Sequence, residues 1–370
     1  MTMILESANT TTWQILSEEG DYTGNTWNLD IDTAGTFTLI TNGAIDAFVA
    51  WGDGTSERLT ATSGTSNFTH TYSPTGTYTV QLQLLSGDFR PYYNNSAAGD
   101  ELVTLGDTPV GWSFGTDLRN AFFGSNNLTT IGDIDTSSVI QFGFAWLGCT
   151  GLTSFPLLDT SSGTDFGYTW YDCTSLTSFP QIDTSSGTYF LRAWANCSGL
   201  TSFPALDVSS GDTFYAAWNG CTSLTSFPVL DISNGTNFFE AWRNCRSLTS
   251  FPEFPTGKKP VAATTFELAW FNCDSLETFP ENFFDDWTGT PADNCFVNTW
   301  DLCSALTATS VENILNSIAA SAGQQNAPAT GPDITIDYDA TSGTPDIAAA
   351  VATLKGRSPA WTITLNGVAQ

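Results

Sequence analysis

The chain is 370 residues long and only 13% of them are charged, yet 38 acids face 10 bases, for a formal net charge of −28. That balance excludes nucleic acid and an anionic membrane surface as partners, since both would repel the chain, and it gives a self-repelling surface. A single histidine leaves no Ser/His/Asp or Cys/His set for nucleophilic catalysis and argues against a zinc site.

In chain order, Met1-Thr-Met-Ile-Leu-Glu6 lacks the basic start and long apolar run of a signal peptide, and no stretch approaches a membrane span. A secreted surface protein would carry such a leader; a virion protein released by lysis would not. Residues 1–90 contain alternating apolar and polar runs, Thr26-Trp-Asn-Leu-Asp-Ile31, Thr36-Phe-Thr-Leu-Ile40 and Thr77-Tyr-Thr-Val-Gln-Leu82, between glycine-bearing turns. They predict an all-β sandwich. Gly52 and Gly54 suit a tight turn around Asp53, and His70 reads as a structural hydrogen-bonding side chain rather than a ligand. Trp51-Gly-Asp-Gly-Thr55 together with His70-Thr-Tyr-Ser-Pro-Thr-Gly-Thr-Tyr-Thr-Val80 resembles a polycystic-kidney-disease (PKD) type domain. The resemblance implies an immunoglobulin-like spacer or adhesion module without catalysis.

Residues 91–121, with Tyr92-Tyr93-Asn-Asn-Ser96, are expected to link to the next region and cap its open end. From Phe122 to Cys303 the chain repeats itself. Trp146, Trp170, Trp194, Trp218 and Trp242 recur every 24 residues, and Cys149, Cys173, Cys197, Cys221 and Cys245 follow each by three. Leu, Phe and Pro come next, as in Leu176, Phe179 and Pro180. Looser copies at Trp270/Cys273 and Trp300/Cys303 and a degenerate one at Phe122/Ser125/Leu128 make eight units.

Phe190, Ala193, Trp194 and Cys197 fall at i, i+3, i+4 and i+7, one face of a short helix. Leu200-Thr-Ser-Phe203 reads as a brief strand closed by Pro204, and Asp183-Thr-Ser-Ser-Gly187 as a turn and helix start. Residues 122–305 are therefore expected to form an α/β solenoid, roughly 40 Å long at strand spacing. Its Trp and Phe columns would be buried between coils. The seven in-register cysteines read as buried free thiols. Cys295 stands outside the register, with a bridge to Cys303 or Cys273 as the alternative to a free thiol, and the redox compartment stays open. The column Asp135, Asp159, Asp183, Asp207 and Asp231 reads as turn-making; no cofactor is expected, with weak calcium binding by some of these acids as the alternative. The pattern W-x-x-C-x-x-L-x-x-x-P-x-x-D-x-S resembles the BspA-like leucine-rich repeats of bacterial surface proteins and phage virion proteins, with Trp where that family commonly has Phe. The resemblance implies a leucine-rich-repeat solenoid.

Residues 306–370 read as an α/β cap. A helix is expected from Ser310, as N-cap, to Ala319, then a strand at Asp333-Ile-Thr-Ile-Asp-Tyr338, a helix at Pro345–Lys355 and a strand at Trp361-Thr-Ile-Thr-Leu365. Such an ending is similar to the ends of repeat proteins encoded in phage genomes.

What remains is surface. Outward positions of the expected helices vary from coil to coil, and Tyr168, Tyr171, Arg192, Tyr215, Phe239 and Arg243 are the candidate binding residues, since aromatics and Arg are enriched at interfaces. Thr153, Thr177, Thr201, Thr225 and Thr249, beside a matching Ser column, form a second, uniform face that reads as solvated strand or as a ladder for a regular polysaccharide or ice. The expected function is a non-enzymatic virion component, such as a tail-fibre, tail-tip or decoration protein. Its partners would be other virion subunits and a host cell-surface glycan or protein, and it would act as an oligomer in the assembly. A bacterial surface adhesin is the alternative, followed by a glycan-acting enzyme with a carboxylate pair.

Overall fold

The computed structural model describes residues 16–17, 20–21, 27–33, 35–92, 101–110, 112–292, 294–321, 332–357 and 360–370. The leader reading at residues 1–6 and the 93–96 part of the expected cap lie outside the described residues.

The first half is built from ten strands: β1 (Leu16–Ser17), β2 (Gly20–Asp21), β3 (Trp27–Thr33), β4 (Thr36–Asn42), β5 (Ile45–Ala50), β6 (Ser56–Ala61), β7 (Thr65–Thr71), β8 (Gly76–Gly87), β9 (Leu102–Leu105) and β10 (Thr130–Ile131). Six of them form one sheet in the order β10-β9-β3-β8-β5-β6, while β4 pairs with β7 and β1 with β2. All pairs are antiparallel except β9 with β10. Period-two burial drives strand formation: Trp27, Leu29, Ile31 and Thr33 point inward on β3 while Asn28 and Asp32 face solvent. The sheet runs past residue 90, taking β9 and β10 from beyond it. Trp27 packs on Phe89, Trp112 and Phe114 at 5.3–5.4 Å, and this core belongs to one hydrophobic cluster with that of the repeats.

The Trp51–Thr55 and His70–Tyr72 segments meet in one hydrogen-bonded knot. Gly52 and Gly54 take φ of 87° and 92°, which a side chain would resist. Asp53 accepts from the Thr55 hydroxyl at 2.6 Å, and its other oxygen lies 2.8 Å from His70 Nε2. His70 stacks on Trp51, and Tyr72 donates to the Trp51 carbonyl. His70 is thus a structural partner of Asp53.

The expected α/β leucine-rich-repeat solenoid is not what forms. Among the described residues there are only two α-helices, and both lie after Cys303. The helical spacing does bury its residues: Phe190, Ala193, Trp194 and Cys197 are all fully inside. The backbone meets that spacing with turns instead. Residues two places before each Trp (Phe144, Tyr168, Arg192, Ala216, Glu240, Leu268, Asn298) have positive φ, and so do those two places after it (Gly148, Asp172, Asn196, Gly220, Asn244, Asn272, Leu302). No α-helix survives two left-handed residues per turn. Alternate amides instead close i→i−3 turns (Ala193 to Phe190, Cys197 to Trp194), while those between cross to the next coil (Arg192 to Tyr215, Trp194 to Ala217). The expected strand at Leu200–Phe203 is likewise absent. Single parallel bridges link the coils, from Asp117–Gln141 to Asn237–Thr265 and at Ser226–Ser250–Thr278.

Aromatic stacking replaces helix packing. The Trp column stacks from Trp146 to Trp300 with ring centroids 5.0–6.2 Å apart. Phe142 to Phe296 form a second stack, and Phe155 to Phe279 a third that meets the indoles edge-on. Each in-register Cys donates its S–H to the carbonyl of the previous coil's Trp or Phe, as in Cys197 to Trp170 at 3.1 Å. All eight cysteines, Cys295 included, are buried and free.

At the far end, α1 (Ala308–Ala320) starts two residues before the expected Ser310, because Thr307 is the cap and accepts from the Ser310 amide. The strands β11 (Asp333–Ile336), β12 (Thr362–Leu365) and β13 (Val368–Ala369) form a small sheet, with α2 (Ala348–Lys355) crossing between the first two. The Asn313 side-chain amide donates to the Phe279 carbonyl. Trp300 bridges to Ile336, and Trp361 packs on Phe296, so this region closes the last rung of the ladder.

Candidate functional site

The turn ribbon positions its side chains in columns, one residue per coil. Left-handed residues before and after each Trp fix where the flanking side chains leave the backbone, and stacking aligns them along the molecule. All six candidate binding residues are half-buried, and most of them meet. Phe144 stacks on Tyr168 at 4.8 Å, and Tyr171 packs against Tyr168 at 5.6 Å. The Arg192 guanidinium lies over both Tyr168 and Tyr215, at 5.9 and 5.6 Å. Tyr215 then stacks on Phe239 at 4.9 Å. Arg243 sits apart from this run: it pairs with the buried Glu240 and covers Phe271. The result is an aromatic ribbon with one interleaved cation, running from Phe144 to Phe239. Four positions that the helical phase would turn outward, Gly167, Ala195, Ala216 and Glu240, are buried.

Beside the ribbon runs a polar groove of about 560 Å³. One wall is the column two places after Trp, namely Asp172, Asn196, Gly220 and Asn244. The other is the column four places after, Thr174, Ser198, Thr222 and Arg246. Tyr171 joins ribbon to groove, since its hydroxyl accepts from Asn196 Nδ2 at 3.2 Å. The Asn244 and Asn272 amides meet at 2.8 Å, and with the Asn272 oxygen turned toward Arg246 the guanidinium donates to it at 2.9 and 3.1 Å. Asp172 has neither a cation nor a hydrogen-bond donor for its carboxylate among the described residues, and burial raises its pKa. Gly220 keeps the floor open, because a Cβ there would lie 2.4 Å from Asn196 Oδ1. Sequence reasoning missed this groove. Its signal was Gly, Asp or Asn at the same place in coil after coil, residues poor in a helix but tolerant of left-handed φ.

The hydroxyl ladder is exposed. Each Thr from Thr177 to Thr249 donates its hydroxyl to the carbonyl of the Thr one coil earlier, at 3.2–3.4 Å, so these donors are already committed. The Asp column makes turns: Asp135, Asp159, Asp183, Asp207 and Asp231 each accept from the amide and hydroxyl of the Ser two places on. No group of three or more His, Cys, Asp or Glu able to hold a metal occurs among the described residues, and none of their helices is long and apolar enough to cross a membrane. Set beside known proteins, the chain matches no family model, no curated protein and no solved structure.

Proposed function

We propose that the protein is a non-enzymatic binding and structural component of a phage particle, a tail-fibre, tail-tip or decoration subunit, whose aromatic ribbon contacts a host surface or a neighbouring subunit. The observation that carries the binding part is the continuous, half-exposed run Phe144–Tyr168–Arg192–Tyr215–Phe239. Aromatic rings and Arg give large contact area at small entropic cost, and a few such groups dominate most interfaces. The virion assignment rests on the resemblance of the repeat pattern to BspA-like repeats. The PKD-like knot would act as spacer.

Two measurements test this. Quantitative proteomics of purified particles should find the chain at fixed stoichiometry; recovery only from a cell envelope would instead support the bacterial adhesin. Replacing Tyr168, Tyr215 and Phe239 together with Ala should weaken particle attachment at least ten-fold while the chain stays folded. Unchanged attachment, with particles that fail to assemble, would make the ribbon an inter-subunit contact.

A further inference from the structure

We infer that the polar groove is a binding site for a neutral, unbranched hexose chain lying along the stack with one sugar per coil. The inference rests on the reading of this chain as a binding protein and adds the ligand class.

Four observations converge. The groove crosses coils whose Trp rings step by 5.4, 5.8 and 5.6 Å, a rise comparable to that of a pyranose unit in an extended chain, so successive sugars would meet equivalent side chains. Its lining is made of amides, hydroxyls, one carboxylate and one guanidinium, with no large apolar side chain. Planar amide and carboxylate groups match the paired hydroxyls of a sugar, whereas a lipid or an apolar peptide would find nothing to bury against. Asp172, half-buried and with no protein donor among the described residues, leaves its carboxylate open to accept from a sugar hydroxyl. Finally, a net charge of −28 and the carboxylate at one end disfavour a polyanion. In this arrangement Asp172 accepts from the sugar at one end, Asn196 Oδ1 accepts in the next coil while its Nδ2 is held by Tyr171, and Asn244 and Arg246 together form the other end, where the guanidinium donates. Tyr171, at the rim, offers its ring face to a sugar face.

The test uses the full chain and four hexamers as probes: cellohexaose, maltohexaose, N-acetylchitohexaose and hexagalacturonate, with binding read by calorimetry. At least one neutral hexamer is expected to bind and hexagalacturonate is not. Asn196→Ala with Asn244→Ala, and separately Ser198→Trp to fill the groove, should each cut affinity at least ten-fold, with slow thiol labelling confirming the fold. In the unmutated protein, the bound hexamer should shift the side-chain amide resonances of Asn196 and Asn244. The proposal is overturned if no neutral hexamer binds, if the uronate binds as well, or if those resonances stay still. Should a hexamer bind and respond only to the Tyr168/Tyr215/Phe239 variant, the groove assignment fails while the reading as a binding protein stands.

Discussion

At the scale of single residues, the stacked columns divide labour. Each Trp supplies buried area and each Cys a thiol donor to the carbonyl one coil back. Trp218 is fully buried, stacked between Trp194 and Trp242. Trp218→Ala is therefore expected to cost about 3–5 kcal/mol in denaturant melts. Ser202→Ala, on the exposed hydroxyl face, should stay within about 0.5 kcal/mol. Burial pushes the thiols up, Cys173 and Cys221 to about 12, so the reactive thiolate is scarce near neutrality. Native thiol labelling should be slow and intact mass unchanged by reductant; a mass gain would reveal disulfides. Asp172 behaves in the opposite way to a salt-bridged acid. Its folded pKa lies above the unfolded value of 3.8, so folding favours the protonated form. The ionised form subtracts stability above the folded pKa and subtracts nothing below about pH 3.8. Asp172→Asn should raise Tm at pH 7 by up to about 2 °C, an advantage that vanishes in acid.

At the scale of the element, a spacing of 3, 4 and 7 predicts a helix, yet a turn ribbon satisfies it. Both put the same four residues inside. They differ in which amides are left over: a helix spends them internally, whereas the ribbon sends alternate ones to the next coil. Substitution at a left-handed position separates the two. Asn298, two places before Trp300, has φ 55° and makes no side-chain hydrogen bond among the described residues. In a helix Asn298→Ala would gain up to about 0.7 kcal/mol. In the ribbon it should lose about 1 kcal/mol, with Asn298→Gly nearly neutral, as urea melts would show. The knot in the β-rich region was legible only in part. The turn at Asp53 and a hydrogen-bonding role for His70 follow from the sequence, whereas that the two are each other's partners is seen only in the fold.

For the whole molecule, contacts within the ladder run from each coil to its neighbours, so a period is the natural unit of change. Deleting residues 195–218, one full period, joins Trp194 to Asn219 in register. That variant should fold cooperatively, with its remaining thiols protected. Deleting residues 195–206 places Leu230 in the Trp column, Ser209 and Ser233 in the Cys column and Ser226 in a Phe column, and should abolish thiol protection. The two ends are closed differently. The six-stranded sheet reaches into the first coil through β10, and the β11–β13 sheet covers Trp300.

The sequence by itself determined the 24-residue period and which side chains the core takes, because burial depends on spacing and apolarity, and both are written residue by residue. It also determined that His70 is structural and that the Asp column makes turns. Only the tertiary structure decided the backbone between those anchors. A lone coil has no partner for its alternate amides; once a neighbour offers carbonyls at the right step, left-handed turns that would be costly in isolation outcompete the helix. The groove followed from the same event, since its walls are residues that no single coil brings together.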